Sequence, residues 1–161
     1  MKETHEQGYE IVILTNQGRL TDVNGDEAPE AHMFKLKIEA LFNTLDVPLT
    51  LYAACANDNY RKPRTAMWKL LTEEYNKNNK MVEREYSYLV GDAAGRVKDH
   101  SDSDRHFCMN VGIGFYTPEE FFLNESPEHM GHNFDPSWYL TANDNWKIMF
   151  YALSDDSSNV Q

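Results

Sequence analysis

The chain has 161 residues, 41% of them hydrophobic and 12% aromatic, with a formal net charge of −11. That length builds one domain with a real core, and the apolar content excludes an intrinsically disordered chain. The acidity argues against a broad grip on a phosphate backbone, which is built from Lys and Arg, but leaves room for a small basic mouth.

Glu10 to Leu14 is a β-branched apolar run closed by Thr15-Asn16-Gln17-Gly18, and predicts a buried strand and a turn. Pro29 to Leu45 predicts a helix with Met33, Leu36, Ala40 and Leu41 on one face. Pro48 to Cys55 reads as a second strand, and Asn57 to Pro63 as a loop. Thr65 is placed to cap a helix whose stripe is Met67, Leu70, Leu71 and Tyr75. After a polar break at Lys77 to Lys80, Glu85 to Val90 predicts a third strand that ends in Gly91-Asp92. Ser103 to Asn110 predicts a short helix with Gly112 as its C-terminal cap, and Val111 to Tyr116 a fourth strand. Thr117-Pro118-Glu119-Glu120 is a capping box that opens a brief helix through Phe122. Beyond Leu123 the pattern weakens. Trp138, Tyr139, Trp146, Phe150 and Tyr151 have no clear period and read as packing, and Ser154 to Gln161 as a loose polar end. Strands alternating with helices imply an α/β fold of parallel βαβ units.

Cys55 and Cys108 form no disulfide framework or metal spacing, which fits a reducing compartment. Met1 to Glu10 has no signal-peptide character, and no segment has the length of a membrane span. His129 and His132 lack a third ligand for a metal site.

The chemistry concentrates around Gly91-Asp92-Ala93-Ala94-Gly95-Arg96 and the acidic cluster Asp99 to Asp104. An acid at the carboxyl end of a buried strand lies where open α/β sheets place their ligands, and hard cations such as Mg²⁺ want carboxylate oxygens. Upstream stand Thr15-Asn16-Gln17 and Tyr60-Arg61-Lys62-Pro63, and downstream Asp104-Arg105 and Thr117-Pro118-Glu119-Glu120-Phe121-Phe122. In this order, over about residues 8 to 136, the set resembles the 3′-phosphatase half of the polynucleotide kinase 3′-phosphatases, in the haloacid-dehalogenase superfamily.

The resemblance implies a Rossmann-like parallel sheet of haloacid-dehalogenase type. It implies Mg²⁺-dependent removal of a 3′-phosphate from DNA ends in strand-break repair, nuclear residence, and repair proteins as possible partners. Thr15 would hydrogen-bond the phosphoryl group, with Asn16, Arg61 and Arg96 contacting substrate; Arg96 and Arg105 would balance the local negative charge or touch the nucleic acid. Lys62 would neutralise the phosphate and hold the attacking carboxylate. Asp92 would bind Mg²⁺, with Asp104 as the second acid and Asp99 and Asp102 as rivals. The family's mechanism is double displacement through an aspartyl-phosphate, using two acids of an Asp-x-Asp-Gly-Thr motif.

That motif does not occur in these 161 residues, and Asp102-Ser103-Asp104 neither follows a strand nor precedes Gly-Thr. The expectation is therefore a sheet missing its first, central strand, between those ending at Thr15 and Asp92. The chain alone is expected to be inactive and destabilised, since unpaired buried backbone is costly. No G-x-x-x-x-G-K-[ST] phosphate loop of a kinase half occurs. Residues 1–136 are read as a partial phosphatase domain and 137–161 as a divergent tail. Ala66 stands where the family tends to carry Gly. The alternatives are a small-molecule phosphatase of the same superfamily, or a non-catalytic fragment that binds DNA ends or a repair partner. Each residue also has a plainer reading: Thr15 as a strand terminator, Lys62 as a surface charge, Asp99 to Asp104 as a solvated loop.

Overall fold

The computed structural model describes residues 1–128. The histidine pair at 129 and 132, the later aromatics and the proposed tail lie outside them. Five helices and four strands are seen there: α1 (Lys2–Glu6), β1 (Ile11–Asn16), α2 (Pro29–Leu45), β2 (Leu49–Ala54), α3 (Ala66–Lys77), β3 (Tyr88–Val90), α4 (Ser103–Val111), β4 (Gly114–Tyr116) and α5 (Pro118–Leu123).

β1 and β2 pair in parallel, Ile11 opposite Leu49 through Asn16 opposite Ala54. β3 and β4 also pair in parallel, Tyr88 opposite Gly114. Each pair is joined by a crossover with a helix, as parallel strands require. Among the described residues β1 and β3 share no ladder, so the α/β expectation is met by two two-stranded sheets. The strands nevertheless run side by side in one direction. At their starts the rings of Tyr9 and Tyr88 meet at 5.5 Å. At their ends Lys62 bridges the Leu14 carbonyl to Asp104, which in turn accepts from the Ala93 amide just past β3.

One core serves both pairs. Trp68 and Leu71 of α3 and Phe107, Cys108 and Val111 of α4 are buried together, with Val12, Leu14, Tyr52, Leu89 and Phe115 packed on them from the strands. The strand residues themselves are only half-buried throughout β1 and β3.

Several local expectations change. In α2 the outward face is Met33, Leu36 and Leu41, while Ala31 is buried and Phe34, Ile38, Phe42 and Leu45 are half-buried. The helix carries two apolar stripes, and packing selects the one rich in Phe. Thr65 precedes α3 but makes no side-chain cap bond. The third strand is shorter than expected because Arg84–Tyr86 coil into a 3-10 turn. Val111 ends α4, with Gly112 at φ 81 in the left-handed conformation that suits glycine. The capping box at Thr117 forms in both directions, through the Glu120 amide and the Glu120 carboxylate.

Candidate active site at the strand ends

The site assembles at the carboxyl ends of β1 and β3, the edge where parallel sheets bind ligands. The loop carrying Lys62 is tied to the end of β1 by Asn16. Its amide nitrogen donates to the Lys62 carbonyl at 3.1 Å, and its oxygen accepts from the Lys62 amide at 2.9 Å. Asn16, expected to touch substrate, thus positions Lys62. Asn110 of α4 supports the same loop by donating to the Pro63 carbonyl at 3.0 Å.

The Lys62 ammonium donates to the Leu14 carbonyl at 2.7 Å and lies 2.7 Å from Asp104 Oδ1. Both side chains are 8% exposed. A surface lysine is therefore excluded as the reading of Lys62. The other Asp104 oxygen accepts from the Ala93 amide at 3.2 Å. Asp104, expected as the second acid at a metal, faces Lys62, with both oxygens engaged. Gly91 makes this approach possible: a β-carbon there would fall 2.8 Å from Asp104 Cγ and 2.9 Å from its Cβ.

Thr15, next to last in β1, has its hydroxyl accepting from Gln17 Nε2 at 2.9 Å, which leaves the hydroxyl proton to donate elsewhere. Arg61 is half-buried beside the same turn, its Nη1 3.3 Å from where a Gly18 β-carbon would sit. Among the described residues its guanidinium has no hydrogen-bond partner, so it is available to an anion at this mouth.

Arg96 is buried, and each of its three side-chain nitrogens has a partner. Its Nε contacts both Asp99 oxygens at 3.0 and 2.9 Å, Nη1 donates to Glu119 at 2.9 Å, and Nη2 lies 3.5 Å from the Asp92 carbonyl. Expected to contact substrate or to balance the local negative charge, it lies against Asp99 and Glu119 and braces the loop after β3. Asp99 is the acid of this brace, and Asp102 lies 3.3 Å from His106 Nδ1, so the three rival acids have three different partners. Burial works against ionisation of Asp99, but hydrogen bonds from the Arg96 side chain and amide prevail and lower its pKa. The same contacts, led by Asp99, raise that of Arg96, and the Arg96 hydrogen bond lowers that of Glu119. Beneath the site the Cys108 thiol is pushed up to about 12, first by burial and then by the nearby Asp104 charge.

Asp92 is exposed, and among the described residues its carboxylate has no partner. Mg²⁺ keeps several waters and commonly takes one or two carboxylates plus substrate phosphate. Asp92 fits as one such ligand. Among the described residues no three acidic, His or Cys side chains gather as a cage.

Residues 1–122 match the sequence model of the polynucleotide kinase 3 phosphatase family. The chain belongs to this family. It is 39% identical over 146 residues to a bifunctional polynucleotide phosphatase/kinase of Schizosaccharomyces pombe, covering 89% of this chain and 34% of that protein. It is 32% identical over 136 residues to the polynucleotide 3′-phosphatase ZDP of Arabidopsis thaliana, covering 78% of this chain and 20% of that protein. An uncharacterized 20.8 kDa protein of Autographa californica nuclear polyhedrosis virus is 37% identical over 127 residues, covering 75% of this chain and 65% of the viral one. The chain thus spans about a third of the yeast relative and a fifth of the plant one. Among the described residues no helix is long and apolar enough to cross a membrane.

Proposed function

We propose that this chain carries part of the site of a DNA 3′-phosphatase of haloacid-dehalogenase type, acting on 3′-phosphorylated ends in strand-break repair in the nucleus. The observation that carries the reading is the Lys62 ammonium, buried at the carboxyl end of β1 and held by Leu14 and Asp104. A desolvated, preorganised cation at a sheet's ligand edge is suited to stabilising charge on a transferring phosphoryl group. Thr15 would donate its hydroxyl proton to a phosphoryl oxygen, and Arg61 would meet the anion from the rim. Asp104 positions Lys62 rather than a metal. Asp92 would hold Mg²⁺, which when bound supplies charge neutralisation. The nucleophile and general acid of the Asp-x-Asp-Gly-Thr motif are not in these 161 residues, so the chain alone binds the phosphate without turning it over.

The test is phosphate release from a nicked duplex carrying a 3′-phosphate, in the presence of Mg²⁺. The chain alone is compared with a form in which Asp-x-Asp-Gly-Thr is joined ahead of Met1. Turnover is expected only in the joined form, and Asp92→Asn abolishes it; Asp92 is exposed, so this change spares the fold. Preference for sugar phosphates would move the assignment to a small-molecule phosphatase. Full activity of the Asn variant would defeat the role of Asp92.

A further inference from the structure

The loop that carries Lys62 also walls a cavity of about 490 Å³, lined by Asn59, Arg64, Thr65, Ala66, Lys69 and Asn110. No acid lines it, in a chain whose net charge is −11. Among the described residues neither of its cations has an acidic partner. Arg64 spends Nη1 on two neutral oxygens, Asn57 Oδ1 at 3.1 Å and the Asp58 carbonyl at 2.8 Å, which leaves Nε and Nη2 to donate. The Lys69 ammonium and the Thr65 hydroxyl have no hydrogen-bond partner among the described residues. Arg and Lys donate and cannot accept, so the lining suits a group made of anionic oxygens. The cavity is joined to the strand-end site through the backbone of one loop. The Arg64 amide bonds the Arg61 carbonyl at 3.0 Å, a turn with Arg61 at the mouth and Arg64 at the cavity. Asn110, a lining residue, donates to the Pro63 carbonyl at 3.0 Å.

We propose that this cavity is a second phosphate subsite, which takes an internucleotide phosphodiester of the strand whose terminal phosphate lies at Lys62. The inference rests on the proposed function only for that terminal phosphate. A phosphodiester carries one negative charge and only acceptor oxygens, and the side chains that hold nucleic-acid phosphates are those found here: Arg, Lys, Thr and Asn. Such a contact touches no base and grips any sequence. It also accounts for how an acidic chain holds a polyanion. The net charge repels the strand, so affinity comes from a local track, and Arg61, Lys62, Arg64 and Lys69 put their charges along one loop and the start of α3. A strand already held by its end meets the cavity as an intramolecular contact, which multiplies its affinity. A small phosphate ester reaches the first site alone.

The experiment follows the fluorescence anisotropy of a short 5′-labelled single-stranded DNA bound to the whole 161-residue chain over a series of salt concentrations. The strand ends in a 3′-phosphate or a 3′-hydroxyl. Arg64→Gln together with Lys69→Gln weakens binding by about tenfold and makes the log–log salt slope shallower by about 0.7, the share of one single-strand phosphate. The loss is the same for both ends, because the subsite holds a phosphate inside the strand. Lys69→Glu alone weakens binding more than Lys69→Gln. Lys69 has no partner to lose, so this pair separates charge from any loosening of the loop that Arg64 braces. Lys37→Gln, on α2, controls for net charge. The inference is overturned if the wild-type chain binds neither strand at low salt, if Lys37→Gln matches Lys69→Gln, or if the loss is confined to the 3′-phosphorylated strand. It is also overturned if an oligoglutamate peptide displaces the strand as well as unlabelled strand does, which would assign the cavity to acidic peptides. Equal affinity of the wild-type chain for the two ends refutes the phosphatase reading and leaves the subsite. A preference for the 3′-phosphate with affinity and slope unchanged in the double variant refutes only the subsite.

Discussion

Replacing Asp104 by Asn leaves the Lys62 ammonium buried beside a neutral group. At 2.7 Å the pair's gross attraction is about 6 kcal/mol at an effective dielectric of about 20. Burying two ions consumes most of that, so the intact pair contributes little net stability, whereas removing one partner costs about 3–5 kcal/mol. With a urea slope of about 2 kcal/mol per molar, Asp104→Asn lowers the unfolding midpoint by about 1.5–2.5 M. Lys62→Met costs a comparable amount, because it strands the carboxylate and uncovers the Leu14 carbonyl. The double variant removes both charges and recovers about 2–3 kcal/mol of the summed loss. Urea melts of the four proteins followed by circular dichroism measure this coupling. A double variant whose loss equals the sum would refute the pairing of Lys62 with Asp104.

Gly91→Ala drives a methyl group into Asp104 and destabilises by about 1–3 kcal/mol in the same melts. Gly114→Ala, where the nearest atom is Tyr88 Cβ at 3.1 Å, costs less, and equal losses would sink the steric argument. Asp99 has its pKa depressed below 3.8 in the fold, so its stabilisation is complete above that value and is lost as the pH falls through the folded pKa. Asp99→Asn therefore lowers stability at neutral pH and flattens the acid limb of a stability–pH curve; an unchanged limb would place the acid sensitivity elsewhere. With its thiol pushed up to about 12 and buried, Cys108 resists iodoacetamide at about pH 8, while half-buried Cys55 reacts. Equal labelling of the folded chain counts against that burial.

Local signals were legible where a residue dictates its own backbone. Pro29 starts α2, Gly112 ends α4 and Thr117 with Glu120 caps α5 as their chemistry requires. The inward face of α2 was not legible, since Met33, Leu36 and Leu41 keep helical period as well as Phe34 and Ile38 do, and only neighbours from elsewhere in the chain choose between them. At the site, motif spacing singled out Lys62 and Asp92, but not which of three acids reaches Lys62. That depends on the approach Gly91 allows across 42 residues, a separation no local pattern records. That Asn16 ties down the Lys62 loop and Arg96 braces the loop after β3 was not legible either, because polar groups beside a phosphate motif and polar groups bracing its loops have the same composition.

The contacts joining β1 to β3 have a temporal consequence. The Tyr9–Tyr88 ring contact fastens one end of the strands and the Lys62–Asp104 pair the other. Among the described residues β1 and β3 share no ladder, so these side-chain contacts carry the joint between the two strand pairs. The joint opens in steps: breaking the ring contact frees the strand starts while the buried ion pair still holds their ends. Loosening the Tyr9 ring contact therefore speeds amide exchange at the strand starts first and leaves the cation at the far end in place.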